Sequence, residues 1–212
     1  MPRKISGMSM ASYFYDVRAG HDLPHDPFKA ILAPRPIGWI STVDARGLVN
    51  LAPYSFFGGH NSNPPIVSFT SEGRKDSVSN AEETGEFVCN LVTRDLAELM
   101  NATSANVSRD VDEMALAGIV PAPSTLVKPP RVARAAAALE CKVVRIIALD
   151  DLAGESLDSY LVLGQVIGVH IDPAFLTPEG RFDTAAARPI ARCGYRGDYA
   201  EVSELFEMIR PT

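Results

Sequence analysis

Hydrophobic positions along this chain recur mostly with the two-residue period of strands. In Ile66–Ser71 (IVSFTS) the alternation sets Val67, Phe69 and Ser71 on one face and Ile66, Ser68 and Thr70 on the other. Ile37–Val43 (IGWISTV) is β-branched and aromatic, Gly47 follows in a turn (DARG), and Leu48–Pro53 resumes extended structure. Phe87–Val92 (FVCNLV) is apolar on both faces, which predicts a central strand. Leu139–Leu149 and Leu161–Ile171 are longer than the usual five or six residues, and long strands that bend around a small core suit a barrel.

Helical spacing is rarer. Lys75–Thr84 reads as a polar helix closed by Gly85. Thr93 caps a second, with Leu96, Leu99 and Met100 as its apolar stripe, and Val111–Ala117 makes a short third. Val202, Leu205, Phe206 and Ile209 follow helical spacing near the end. Pro121–Pro130 (PAPSTLVKPP) reads as an extended connector. Helices do not alternate regularly with strands and no G-x-G-x-x-G occurs, which argues against a dinucleotide-binding parallel sheet. The pattern predicts a mainly β (α+β) chain: one antiparallel barrel with a few peripheral helices.

Composition narrows this further. The chain has 212 residues, 46% apolar and 22% charged, enough for one domain with a sizeable core. A net charge of −6 offers no basic field to nucleic acid or an acidic membrane surface. No apolar run nears the roughly eighteen residues of a membrane span. Met1–Gly7 carries Arg3 and Lys4 with no apolar core behind them, so a signal peptide is not expected. Cys89, Cys141 and Cys193 are too few and too scattered for a disulfide framework. They favour a reducing cytoplasm, with Cys89 and Cys141 as small buried apolar residues.

Three clusters carry possible chemistry. In Asn50–Phe57 (NLAPYSFF), Pro53 interrupts the ladder of a strand and frees backbone groups beside an aromatic wall. Such an edge suits a planar heteroaromatic ring with polar atoms on its rim. A bulged corner packed by Tyr54, Phe56 and Phe57 explains the same residues, and residue types alone favour that corner. In Ser71–Ser77 (SEGRKDS), a strand end, a tight turn at Gly73 and a helix start make an anion site, with Arg74 and Lys75 as cations and Ser71 and Ser77 as hydroxyl donors. Equally, Asp76 caps the helix and the cations face solvent. In Pro34–Ile40 (PRPIGWI), two prolines hold Arg35 extended, ready for a phosphate or carboxylate. Trp39, the only tryptophan, packs on a ring or in the core, and core is the commoner place.

His21 and His25 lie in a polar N-terminal loop, His60 follows the Gly58–Gly59 pair, and His170 ends the last long strand. No histidine or carboxylate spacing marks a metal site, and no G-x-S-x-G or cysteine–histidine signature marks a nucleophile.

In order, HDPFKAILAPRPIGWIST, NLAPYSFF, NPPIVSFTS, GRKDSVSN, TGEFVCNLV and RPIARCGYRGDYAEV run from His25 to Val202. Their ordered combination resembles the flavin reductase-like family of FMN-binding split barrels, specifically its flavoredoxin-like branch. The resemblance implies a Greek-key split barrel over residues 1–212, with 1–24 as an N-terminal extension, and a homodimer with FMN near the subunit interface. It implies that Asn50, Ala52, Pro53 and Ser55 line the isoalloxazine. It puts Ser71, Lys75, Asp76 and Ser77 at the phosphate, and Arg35 and Trp39 beside the flavin. Arg192 and Tyr195 complete either the site or the dimer contact. Gly58, Gly59 and His60 stand where the family pattern has an asparagine and a small apolar pair, a departure that bears on substrate shape.

The implied activity is NAD(P)H:flavin oxidoreduction, with hydride passing from nicotinamide to flavin N5, NADH or NADPH as co-substrate and His60 as a substrate contact. Hydride transfer to N5 needs no protein acid or base, in keeping with the missing catalytic dyad. A redox protein or monooxygenase would be the onward partner. The alternative is a non-catalytic FMN electron carrier fed by a protein donor. A third reading is a flavin or pyridoxal-phosphate binder acting on another small molecule.

Overall fold

The computed structural model describes residues 12–211, so the Met1–Gly7 reading lies outside the described residues. Helix α1 (Phe28–Ile31) precedes strands β1 (Arg35–Pro36), β2 (Gly38–Val43), β3 (Val49–Tyr54), β4 (Phe57–Ser62) and β5 (Pro65–Glu72). Helix α2 (Asp76–Thr84), strand β6 (Glu86–Leu91) and helices α3 (Ala97–Ala102) and α4 (Glu113–Leu116) follow. Strands β7 (Pro121–Ala122) and β8 (Arg131–Val132) lead into the long β9 (Ala137–Asp150) and β10 (Ser156–Ile171). Helix α5 (Thr184–Ala187) and strands β11 (Ile190–Arg192) and β12 (Tyr199–Glu201) end the fold.

The main sheet has seven strands in the order β3-β2-β6-β9-β10-β5-β4, every pair antiparallel. It curls until β3 approaches β5, and the Thr70 amide donates to the Phe56 carbonyl at 2.8 Å across the corner. Register shifts along β9 and β10 supply bends that a long strand needs to wrap a small core. A small sheet, β1-β11-β12, closes one end.

β2 is buried along its whole length because it has cores on both faces. Ile40 points into the barrel with Phe69, Phe87 and Val162. Trp39 points the other way, into a second core with Leu51, Leu96, Met100 and Met114 beneath α3 and α4. The barrel core is aromatic: Tyr54 and Phe69 rings are 4.8 Å apart, and Phe69 meets Phe87 nearly edge-on at 5.4 Å. Gly164 on β10 gives Phe87 its room, since a Cβ there would stand 2.4 Å from the ring.

Several expectations need correction. Residues 202–209 form no helix, and Leu205, Phe206 and Ile209 are exposed. A single amphipathic turn or two cannot offset the cost of helix nucleation without a surface to pack on, and this chain offers none there. Pro53 does not interrupt β3 but pairs with Trp39 inside it. β3 is an edge strand, and the Leu51 amide two residues earlier points away from β2 to the Glu113 carboxylate at 3.0 Å. Pro53 therefore occupies an outward position where a missing N–H breaks no ladder bond. The third helix shrinks to Glu113–Leu116, capped by Asp112, and Thr93 starts a 3-10 turn without a capping side-chain bond. Gly58, Gly59 and His60, which the sequence assigned to no element, lie within β4.

The connector at Pro121–Pro130 is pinned by one buried group. Glu140 accepts the amides of Thr125 at 2.7 Å, Leu126 at 2.6 Å and Val127 at 3.1 Å, and pairs with His170. Burial works against its charge, but the Thr125 amide, His170 and the Leu126 amide outweigh it and hold the carboxyl below its usual range. Among the described residues, no helix is long and apolar enough to cross a membrane and no cluster of His, Cys, Asp or Glu is placed to hold a metal ion.

Candidate active site

The site is built on the edge strand β3 and the start of α2. Asn50 is buried and ties the two together, donating to Ser77 Oγ at 2.9 Å and to Thr42 Oγ1 at 3.1 Å. Asn80, one turn along α2, donates to the same threonine at 3.1 Å. Ala52 and Tyr54 share Asn50's face of β3. The Tyr54 hydroxyl lies against Ser77 and Ser71, and burial pushes its pKa above the ordinary tyrosine value.

The turn into α2 uses Gly73 at φ 84°, a conformation that side chains disfavour. The Ser71 hydroxyl donates to the Gly73 carbonyl at 2.9 Å and fixes that turn. Lys75, not Asp76, is the N-cap residue, and no side chain accepts from the first-turn amides. Asp76 sits in the first turn, with its carboxylate 3.8 Å from Arg109. Arg74 turns outward to Glu82 and the face of Tyr160. Lys75 is exposed and makes no ion pair among the described residues. An uncapped nine-residue helix with one unpaired lysine at its head is a ready anion site.

Two cavities adjoin along β3. The smaller, about 410 Å³, is lined by Asn50, Ala52, Tyr54, Lys75, Ser77 and Glu113, among others, and also by Asp76. The larger, about 930 Å³, is walled by Ser55, Arg94, Met100, Arg192, Arg196 and Tyr199. Pro53 and Ser104 belong to both walls, which joins the two spaces.

Six of the ten residues expected at a cofactor therefore share the smaller cavity, and Ser55 joins the larger. Arg35, Trp39 and Ser71 stand behind the walls. Trp39 is fully buried and its Nε1 donates to Thr103 Oγ1 at 2.9 Å, steadying the end of α3. The Arg35 guanidinium is buried and donates to the Lys29 carbonyl and, at 3.2 Å, to the Cys193 carbonyl, over the Phe56 ring. Its Nε has no hydrogen-bond partner among the described residues. His60 lines neither cavity, and its Nε2 pairs with Ser68 Oγ at 2.6 Å. Tyr195 packs on His25, and His170 serves the Glu140 anchor.

Glu113 is a wall residue that the sequence did not reveal. It is nearly buried, and desolvation raises its pKa, with Asp76 and Asp112 adding to the effect. The only local signal was its place before the buried Met114. Burial pushes the Cys89 thiol up to about 12 and the Cys141 thiol up as well, so neither supplies a thiolate.

The model of the flavin reductase like domain matches residues 32–185. This chain belongs to the flavin reductase-like family. An uncharacterized protein of Deinococcus radiodurans is 37% identical over 194 residues, covering 86% of this chain and 82% of that one. Among solved structures, nitrilotriacetate monooxygenase component B from Bacillus cereus is 28% identical, with a TM-score of 0.82 over 93% of this chain and all of that chain. Flavoredoxin of Desulfovibrio vulgaris, at 20% identity, shares the fold with a TM-score of 0.74 over 83% of this chain and 91% of its own. The mainly β architecture described above is thus the split barrel of the flavin reductase-like family.

Proposed function

We propose that the protein binds FMN non-covalently along β3 and the head of α2, and acts as an NAD(P)H:flavin oxidoreductase. The observation that carries this reading is the junction of an anion-ready helix terminus with a much larger second cavity through Pro53 and Ser104.

The residues fit the cofactor. A phosphate needs amides and a cation, and Lys75 with the uncapped first turn of α2 supplies both. A flat ring with polar edges needs a backbone edge, and β3 is the edge strand of its sheet. Asn50, Ala52, Pro53 and Ser55 hold the ring and its chain. Ser71 and Ser77 set the turn and the β3–α2 tie, while Arg109 takes up the charge of Asp76. Arg35 and Trp39 support the site from behind. When bound, the flavin supplies the redox chemistry, and the protein's part is to bind, orient and leave one side open to a second molecule. No side chain is required as acid or base.

The larger cavity favours an enzyme over an electron carrier. A carrier that exchanges electrons at its surface needs no chamber of about 930 Å³ beside its cofactor. Anaerobic mixing of the FMN-loaded protein with NADH and with NADPH tests the reading, and bleaching of the oxidised flavin band is expected with at least one. A flavin that stays oxidised with both, yet accepts electrons from a reduced protein, makes the carrier reading right.

The same reading takes the protein as a cytoplasmic homodimer, with a redox protein or monooxygenase as a further partner. Free cysteines accord with a reducing compartment. Exposed Val144, Leu157 and Val169 on the long strands and Phe206 and Ile209 in the tail give a symmetric partner apolar surface to cover. Sedimentation as a monomer at micromolar concentration would remove the dimer.

A further inference from the structure

The larger cavity carries more positive charge than the chain as a whole would lead one to expect. The protein is −6 overall, yet Arg94, Arg192 and Arg196 line this space against Glu98 and Glu201. Glu201 is already neutralised. Arg188 grips it with bonds of 3.0 and 3.1 Å, and Arg94 stands 3.8 Å away. Arg94 is therefore partly engaged, whereas Arg192 and Arg196 make no ion pair among the described residues.

Their placement follows from the small end sheet. Register pairs Arg192 on β11 with Tyr199 on β12, which sets the guanidinium 4.8 Å from the ring centre. The turn between those strands is closed by the Cys193 amide on the Asp198 carbonyl at 2.9 Å and carries Arg196 next to Gly197 at φ 89°. The β11–β12 hairpin thus brings two arginines without ion pairs among the described residues to the same wall, Arg192 lying over one face of Tyr199.

Resting on the flavin reading above, we infer that Arg192 and Arg196 are the anion-recognising residues of a second-substrate subsite, and that its ligand is a phosphoryl-bearing nucleotide. Guanidinium groups suit phosphoryl oxygens, and the Tyr199 ring beneath Arg192 holds that guanidinium in place. The space of about 930 Å³ includes the part that the flavin ring takes at Pro53 and Ser55, so the choice of ligand rests on the arginines rather than on volume. The substrate contact expected at His60 passes to these arginines, because His60 pairs with Ser68 outside both cavities.

The test uses the FMN-loaded protein without oxygen. NAD⁺, inorganic pyrophosphate and benzoate are each titrated while the flavin spectrum and its melting temperature are followed. NAD⁺ and pyrophosphate should bind competitively, and benzoate should not compete. The paired substitution Arg192→Ala and Arg196→Ala should weaken NAD⁺ by at least about tenfold and flatten its salt dependence, with FMN affinity changed by less than about twofold. Arg192→Lys with Arg196→Lys should recover part of the loss and keep the melting temperature. Unchanged NAD⁺ binding in the alanine pair, or benzoate competing where pyrophosphate does not, would overturn this inference alone. Failure of the native protein to take FMN would overturn the flavin reading and this inference with it.

Discussion

Lys75 permits an unusually clean perturbation of the proposed cofactor site. It is the N-cap of α2, but its side chain makes no capping bond and no ion pair among the described residues. Replacing it by alanine therefore leaves the helix start and the surrounding network of Asn50, Ser77 and Thr42 intact. What is lost is one charge-assisted contact to a phosphate, worth about 1.5–3 kcal/mol. Because Lys75 is exposed, water and salt screen it, and the lower end applies. At about 1.4 kcal/mol per decade, Lys75→Ala should weaken FMN by about tenfold. Riboflavin, which lacks the phosphate, should change by less than about twofold, because uncharged contacts along β3 remain. Quenching of flavin fluorescence on titration reads both constants, and repeating the FMN series at rising salt should narrow the gap between native and variant protein. Equal losses for FMN and riboflavin would refute the reasoning and move the phosphate away from α2.

Glu113→Gln should flatten the pH dependence of FMN binding: the raised Glu113 pKa keeps this wall neutral at low pH and lets it charge, against a phosphate, as pH rises. The same sign holds for stability, where the native Glu113 contribution is full below the ordinary glutamate value and is lost as pH climbs through the raised one, and urea melts of native and variant protein across that range check it. Glu140 has the opposite sign. Its depressed pKa stabilises above the ordinary value and the benefit disappears as pH falls, while Glu140→Ala, which strands three amides, should cost about 3–5 kcal/mol by denaturant titration. Gly164→Ala should cost about 1–3 kcal/mol, since its Cβ meets the fully buried Phe87 ring at 2.4 Å and Cys141 Cβ at 3.3 Å; an unchanged melting temperature would show that this core yields.

The strands were legible because their information is local. Alternation in Ile66–Ser71 buries Val67, Phe69 and Ser71 as the pattern requires, with Ser68 on the other face buried as well, against His60. The apolar run at Phe87–Leu91 sits between β2 and β9 as a central strand must. The α2 turn was legible for the same reason, since Gly73 and the polar helix after it are adjacent in sequence. Whether Asp76 or Lys75 caps that helix was not, because the cap is set by where the backbone turns from extended to helical, which happens after Lys75 and which two adjacent polar residues do not decide. The C-terminal segment misled for a related reason. A helical period states which residues would share a face, and says nothing about whether a surface exists to receive it.

The larger cavity shows why residue pattern fails for such sites. Its walls come from Ile37, from Pro53 in β3 and Ser55 just beyond it, from α3 and from the small end sheet far later in the chain. Ile37, Pro53 and Ser55 lie in clusters that residue types pick out, whereas α3 and the end sheet have no composition that marks them alone. The family resemblance names Arg192 without fixing its role, and it is the pairing of β11 with β1 on one side and β12 on the other that sets it on the same space as Ser55. Pro53 makes the same point at the smaller cavity. As a sequence signal it reads as a strand breaker, yet on an edge strand it is compatible with full pairing to β2 and leaves its ring in the wall common to both spaces. A proline can be a terminator or an edge residue, and only the position of its strand in the sheet decides between them.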